Sequence, residues 1–175
     1  EEKSVQSNFP ADKQTAETAW LFLQLVIRQL KDGGRCGIVV PNGLLFGDAV
    51  GARIKKQLLE ECNLHTVVRL PDGAFAPYTD IPSNLLFFDK TGRTKEIWYY
   101  ELPSPEGRKK YSKTKPIRYE EFAYCQAWWT NRTANERAWR VPIADIEANG
   151  YNLDLRNPNR ADDLAHRPPA ELLAE

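Results

Sequence analysis

Methionine is absent from all 175 residues, and histidine (two) and cysteine (three) are scarce. A chain without Met has no initiator as written, so it is expected to be a piece of a longer polypeptide. Cys36, Cys62 and Cys125 are odd in number and widely spaced, with no Cys-x-x-Cys. That pattern argues against a zinc or disulfide framework and suits buried, reduced thiols in the cytoplasm. His65 and His166 lie too far apart in sequence to read as a metal-ligand pair. Net charge is also missing: Lys+Arg 24 balance Asp+Glu 24. No global field draws the chain to nucleic acid or membrane, and any charged partner must be met by a local patch. The longest apolar stretch, 21–27, is interrupted by Gln24 and falls far short of a spanning helix. The opening Glu1-Glu2-Lys3-Ser4 is charged, unlike a signal peptide. No Gly-x-Ser-x-Gly elbow and no P-loop occurs. Gly33-Gly34-x-x-Gly37 follows a helical pattern and precedes a strand pattern, which is the place of a helix stop. The chain shows no self-sufficient catalytic or metal site.

What is present reads as α/β. At 42% hydrophobic and 27% charged residues, the composition is that of a globular domain. Segment 1–12 is polar and loose. Ala16, Ala19, Trp20, Leu23, Val26, Ile27 and Leu30 recur at helical spacing and predict a helix over 15–31. Leu21, Phe22 and Leu25 broaden its apolar face enough for more than one neighbour. Asp12 or Thr15 is placed to cap it. Residues 35–41 form a continuous apolar run of the kind found in strands buried on both faces. A second helix is expected over 48–62, with Ala52, Ile54, Leu58 and Leu59 inward and Arg53, Lys55, Lys56 and Glu60 outward. Further strands are expected over 64–70, 84–89 and 96–101. The strand after Pro82 comes too soon for a helical crossover, so it is expected to be antiparallel. Short helices are expected over 119–129 and 142–148.

Two features carry chemistry. The loop Arg69-Leu70-Pro71-Asp72-Gly73-Ala74-Phe75-Ala76-Pro77-Tyr78-Thr79-Asp80-Ile81-Pro82 puts Phe75 and Tyr78 at the carboxyl end of a strand. That edge of an open α/β sheet is where ligands bind. An aromatic there either stacks on a planar ligand such as an extruded base, or folds back onto the core. The second is the basic run Arg108, Lys109, Lys110, Lys113, Lys115 and Arg118, with Tyr111 and Tyr119 interleaved. It either lies along phosphates or is a solvated loop.

Longer strings then become recognisable. Asn8-Phe9-Pro10, Thr15-Ala16-Glu17-Thr18-Ala19, the run 30–43 ending in Val39-Val40-Pro41-Asn42-Gly43, and Asn63-Leu64-His65-Thr66-Val67-Val68-Arg69-Leu70-Pro71 form collinear blocks. The Phe75 loop, Asn84-Leu85-Leu86-Phe87-Phe88-Asp89-Lys90, Lys95-Glu96-Ile97-Trp98-Tyr99-Tyr100 and Gly150-Tyr151-Asn152-Leu153-Asp154 continue them. Over roughly 8–160 the chain resembles the modification (methylase) subunit of type I restriction-modification systems.

The resemblance implies an adenine-N6 DNA methyltransferase that uses S-adenosylmethionine. It implies a partial Rossmann-like methyltransferase sheet, its last strands with one antiparallel, plus helices and a C-terminal extension. Implied boundaries are 1–101 for the C-terminal half of the catalytic domain, 102–160 for a basic loop and small helical extension, and 161–175 for a flexible tail. Phe75 matches best the family's base-stacking aromatic, with Tyr78 as the neighbouring alternative. Implied partners are DNA, a specificity subunit, a restriction subunit and a second methylase subunit, with no membrane. The family's glycine-rich cofactor motif and its Asn-Pro-Pro-Phe catalytic motif lie before the matching part. Asn157-Pro158-Asn159 lacks the second proline and the aromatic. No catalytic, cofactor-binding or metal residue is therefore expected in this chain, and no bound cofactor. A stand-alone methylase of the same class and a non-catalytic DNA- or protein-binding module remain alternative readings. Calorimetric titration of this chain alone with S-adenosylmethionine should show no binding, and micromolar affinity would overturn the fragment reading.

Overall fold

In the computed structural model, which describes residues 3–46 and 49–159, the polar start of the chain contains a helical turn, α1 (Lys3–Gln6), and a 3-10 turn at Ala11–Lys13. The first long helix, α2 (Thr18–Gln29), is shorter than its apolar pattern at both ends. Neither Asp12 nor Thr15 caps it: Glu17 precedes the first turn without a side-chain bond, and the Thr15 hydroxyl accepts from the Glu17 N–H. Trp20, Leu21, Leu23 and Ile27 are buried, whereas Phe22 and Leu25 stay exposed. Gln24 is buried too, its amide donating to the Lys13 carbonyl at 3.1 Å, which ties the preceding turn to the helix.

β1 (Arg35–Pro41) leads through a 3-10 turn into α3 (Ala49–Glu61), then β2 (Asn63–Arg69), β3 (Ser83–Asp89) and β4 (Glu96–Glu101). The helical start expected at Asp48 lies outside the described residues. Ile54, Leu58 and Leu59 of α3 are buried as the pattern requires. Lys55, expected to point outward, is fully buried. Its ammonium donates to the carbonyls of Leu45 and Phe46 at 2.9 and 2.8 Å, satisfying backbone groups of the turn after β1. After β4 comes a long excursion containing a 3-10 turn at Tyr119–Phe122 and α4 (Ala123–Thr130). The chain re-enters the sheet at β5 (Ala138–Pro142) and continues into α5 (Ile143–Ala148). β5 was not legible in the sequence, being five residues bounded by polar turns and closed by Pro142. The tail 161–175 and His166 lie outside the described residues.

The sheet has the order β1-β3-β2-β4-β5. β3 pairs antiparallel with β1 on one side and β2 on the other, β2 pairs parallel with β4, and β4 antiparallel with β5. The antiparallel strand expected after Pro82 is thus present and lies between its two predecessors. Thr94 makes the turn from β3 into β4: its buried hydroxyl donates to the Cys62 carbonyl and accepts from the Leu64 N–H at 2.7 and 2.9 Å. One sheet face packs on α2, α3 and α5 through Leu23, Ile27, Ile54, Leu58, Leu86, Phe88, Tyr99 and Ile146. Each such side chain contributes about 1.5–3 kcal/mol on burial, so this layer carries most of the stability. On the other face, among the described residues, Val68, Tyr100, Leu102, Cys125 and Trp128 cluster beside α4.

β1 departs from the expectation of a strand buried on both faces. Val40 is buried, but Val39 is 52% exposed and Arg35 and Gly37 are exposed. Among the described residues β1 is an edge strand, and nothing covers the face carrying Val39. Unpaired edges with apolar side chains template association. The chain should therefore self-associate with rising concentration in sedimentation velocity, and Val39→Lys should shift it toward monomer. A wild-type chain that stays monomeric across that range would overturn the expectation.

Candidate nucleic-acid interface

β1, β2 and β4 run in the same direction, so their carboxyl ends share one edge of the sheet. Four segments gather there: the turn after β1, the 70–82 loop after β2, the start of the excursion after β4, and residues 152–159. Between them lies an open cleft of about 750 Å³ lined by Asn42, Arg69, Asp72, Asn84, Glu101, Arg137 and Asn157 among others. Asn84 is buried and donates its amide to the Asn42 side chain at 2.9 Å, joining the start of β3 to the turn after β1.

Residues 152–159 form a strap across this edge. Leu153 is fully buried, its N–H donating to the Leu45 carbonyl at 2.8 Å and its carbonyl accepting from the Tyr99 hydroxyl at 3.0 Å. Arg69, the last residue of β2, donates to the Leu155 carbonyl at 2.7 Å and pairs with Asp154 at 2.7 Å. The Asn157 amide reaches Glu101 and the Glu136 carbonyl, and Asn159 reaches the Asn135 carbonyl. The two asparagines of the near-motif Asn157-Pro158-Asn159 are thus holding the strap onto β4 and the approach to β5.

Phe75 and Tyr78 stand on the 70–82 loop, 37% and 92% exposed. The loop is a series of turns: the Ala76 N–H donates to the Gly73 carbonyl, and the N–H groups of Tyr78 and Thr79 to the Phe75 carbonyl. Phe75 belongs to neither of the two apolar clusters. Arg108, Lys109, Lys110, Lys113, Lys115 and Arg118 are all exposed. Ser112 and Lys115 exchange both main-chain bonds at 3.1 Å, so the basic run is a tight hairpin with Lys113 and Thr114 at its tip.

The structure brings the aromatic loop and the basic hairpin together. The Tyr111 N–H donates to the Asp72 carbonyl at 2.9 Å, and Lys110 lies 3.8 Å from Asp80. Tyr111 itself is only 2% exposed, so of the two tyrosines interleaved with the basic residues it faces inward while Tyr119 is 75% exposed. Sequence reasoning missed that anchor, although one aromatic in an otherwise charged run was its signal. It also missed the Arg69–Asp154 pair and the Asn42–Asn84 bond, which join residues distant in sequence.

Other chemistry has little support. Burial pushes the Cys62 and Cys125 thiols up to about 11, which keeps them protonated and unreactive at neutral pH. His65 is half-buried, its ring against Thr66 and edge-on to Trp129. Burial, then the nearby Arg132, lower its pKa, against the pull of Asp89. That is a packed histidine. Among the described residues no group of three or more acidic, His or Cys side chains could hold a metal, and no helix is long and apolar enough to cross a membrane. Gly33 and Gly34 form the turn into β1, where the Gly33 N–H donates to the Lys90 carbonyl and the Gly34 carbonyl accepts from Lys90. This turn sits at the amino end of β1, away from the cleft.

A family model described as N-6 DNA methylase matches residues 1–166. The chain belongs to the N-6 DNA methylase family. Among its relatives is the type I restriction enzyme EcoEI methylase subunit of Escherichia coli, 53% identical over the whole chain and 37% of that protein. A crystal structure of a modification subunit assigned to a type I restriction enzyme of Vibrio vulnificus YJ016 is also 53% identical. Its TM-score is 0.89, over 95% of this chain and 37% of that one. The EcoKI M protein, at 23% identity and a TM-score of 0.72 over 86% of this chain and 40% of that one, shares the fold. The chain thus spans well under half the length of the N-6 DNA methylases it matches. The strap makes a direct check of the site's scaffold possible. Tyr99→Phe strands the buried Leu153 carbonyl and should cost about 1–3 kcal/mol in urea unfolding; an unchanged midpoint would show the strap held by other contacts.

Proposed function

We propose that this chain is the C-terminal part of the catalytic domain of a type I methylase subunit, which transfers a methyl group from S-adenosylmethionine to adenine N6 in DNA. The observation that carries this reading is the collinear, 53% identical match along the entire chain to a type I methylase subunit. The working assembly would contain DNA, a specificity subunit, a restriction subunit and a second methylase subunit, in the cytoplasm. The family's glycine-rich and Asn-Pro-Pro-Phe motifs are absent from this sequence. Methyl transfer is therefore assigned to the rest of the polypeptide, and base and backbone handling to this part.

In that division Phe75 stacks on the extruded adenine, with Tyr78 beside it. Support comes from its position on a loop at the carboxyl edge, outside both apolar clusters. The ring offers a flat apolar surface that any base can use, worth about 1–3 kcal/mol per base. Arg108, Lys109, Lys110, Lys113, Lys115 and Arg118 contact phosphates, which orient the duplex without reading its sequence. Their exposure on one hairpin next to the Phe75 loop supports this role.

Two measurements on the full-length subunit test the assignment. Phe75→Ala should slow single-turnover methylation by about one to two decades, at ~1.4 kcal/mol per decade, while the melting temperature barely moves. A strongly destabilised variant with normal turnover would make Phe75 a packing residue instead. Changing Lys109, Lys110, Lys113 and Lys115 together to Gln should flatten the plot of log affinity against log salt, by roughly 0.9 for each phosphate no longer neutralised. Sequence preference should stay the same. An unchanged slope would leave the hairpin merely solvated.

A further inference from the structure

We propose that Tyr111 is a positioning residue that couples the basic hairpin to the Phe75 loop, so that phosphate capture by the hairpin sets where the stacking ring stands. The inference rests on the reading of Phe75 as the base-stacking residue and adds how that ring is aimed.

The two segments approach each other closely. Gly73 has a φ of +75°, a backbone state that suits glycine, and its Cα faces the main chain of Tyr111. A Cβ built on Gly73 would collide with the Tyr111 carbonyl oxygen and lie 3.0 Å from its carbonyl carbon and 3.1 Å from its nitrogen. No side chain fits between them, and the Tyr111 N–H donates to the adjoining Asp72 carbonyl at 2.9 Å. Two backbones in direct contact cannot slide independently without breaking that bond or overlapping.

Each partner then transmits to one function. On the loop side, Gly73 accepts the N–H of Ala76, so its carbonyl closes the turn that carries Phe75. On the hairpin side, Tyr111 immediately precedes the Ser112–Lys115 pair that presents Lys113 and Lys115. The Tyr111 ring is buried with the Arg108 guanidinium 5.8 Å from its centre, in a run whose basic members are exposed. The hairpin therefore has one buried foothold, and it is planted on the root of the Phe75 turn. The same lysines that grip phosphate thus bear on Phe75 through the main-chain contact that the buried Tyr111 ring holds in place, beside the exposed Lys110–Asp80 pair.

The test separates grip from coupling in the full-length subunit assembled with its specificity subunit on a cognate duplex. Tyr111→Ala should leave affinity and its salt slope near wild type, because every lysine remains. The single-turnover methylation rate at saturating DNA should fall about tenfold, a fraction of the stacking energy. Tyr111→Ala keeps the main-chain bond but removes the buried ring that seats it; Tyr111→Phe, which keeps the ring, should restore that rate. An exposed Lys109, Lys113 and Lys115 to Gln variant, which keeps the Lys110–Asp80 pair and whose fold is at little risk, should also methylate slowly even when DNA is raised to saturation. A normal saturating rate in that variant overturns the coupling, as does a loss of salt slope in Tyr111→Ala that matches its loss of rate. Slow turnover in Phe75→Ala with normal turnover in Tyr111→Ala sinks the coupling alone. Normal turnover in Phe75→Ala sinks the stacking reading and the coupling with it.

Discussion

β3 runs antiparallel between β1 and β2, hydrogen-bonded to both along its length, and the placement of the loop after β2 follows from that insertion. Because β3 begins beside the end of β2, the 70–82 connection never has to cross the sheet. It leaves and returns at the same edge and is free to stand above it as a string of turns. The same holds one step later, since β5 returns antiparallel beside β4 and leaves the 102–137 excursion rooted at that edge. A parallel return in either place would have consumed the connection in a crossover. Two antiparallel returns thus leave two free loops side by side, and they meet at Gly73 and Tyr111.

The chemistry of the edge follows from where charge is allowed. With a net charge of zero, the chain carries six of its 24 Lys and Arg in one exposed run and commits others internally. Arg69 is committed to Asp154 and the Leu155 carbonyl, and the buried Lys55 to two backbone carbonyls. Neither is a candidate for phosphate. Among the described residues the exposed lysines of the hairpin have no such commitment beyond the loose Lys110–Asp80 pair, which water screens. The strap from Leu153 to Asn159 then clamps the ends of β2, β4 and β5, so the loops project from a rigid base rather than from fraying strand ends.

The local elements were largely legible because periodicity and punctuation are local properties. The alternation of Glu96–Glu101, the apolar run of Arg35–Pro41 and the helical spacing around Ile54, Leu58 and Leu59 all appear where their patterns place them. The antiparallel sense of β3 followed from the shortness of its connection. Phe75 and the basic run stood out by residue type and by the loops that carry them, and the family resemblance by its collinear blocks.

What the sequence could not settle was decided by contacts between residues far apart in the chain. Lys55 reads as a surface lysine by its spacing and is buried because carbonyls in the turn after β1 need donors there. β1 reads as a doubly covered strand, but burial on its second face depends on what lies opposite, and no described element does. β5 is too short for any pattern and exists because β4 offers it an edge. Tyr111 looked like one more residue of a basic, surface-exposed run until Asp72 and Gly73 arrived beside it. Sequence marked most of the segments that form elements and the side chains proposed to carry chemistry; the tertiary structure alone decided which of them touch, because contact is a property of two segments and periodicity of one.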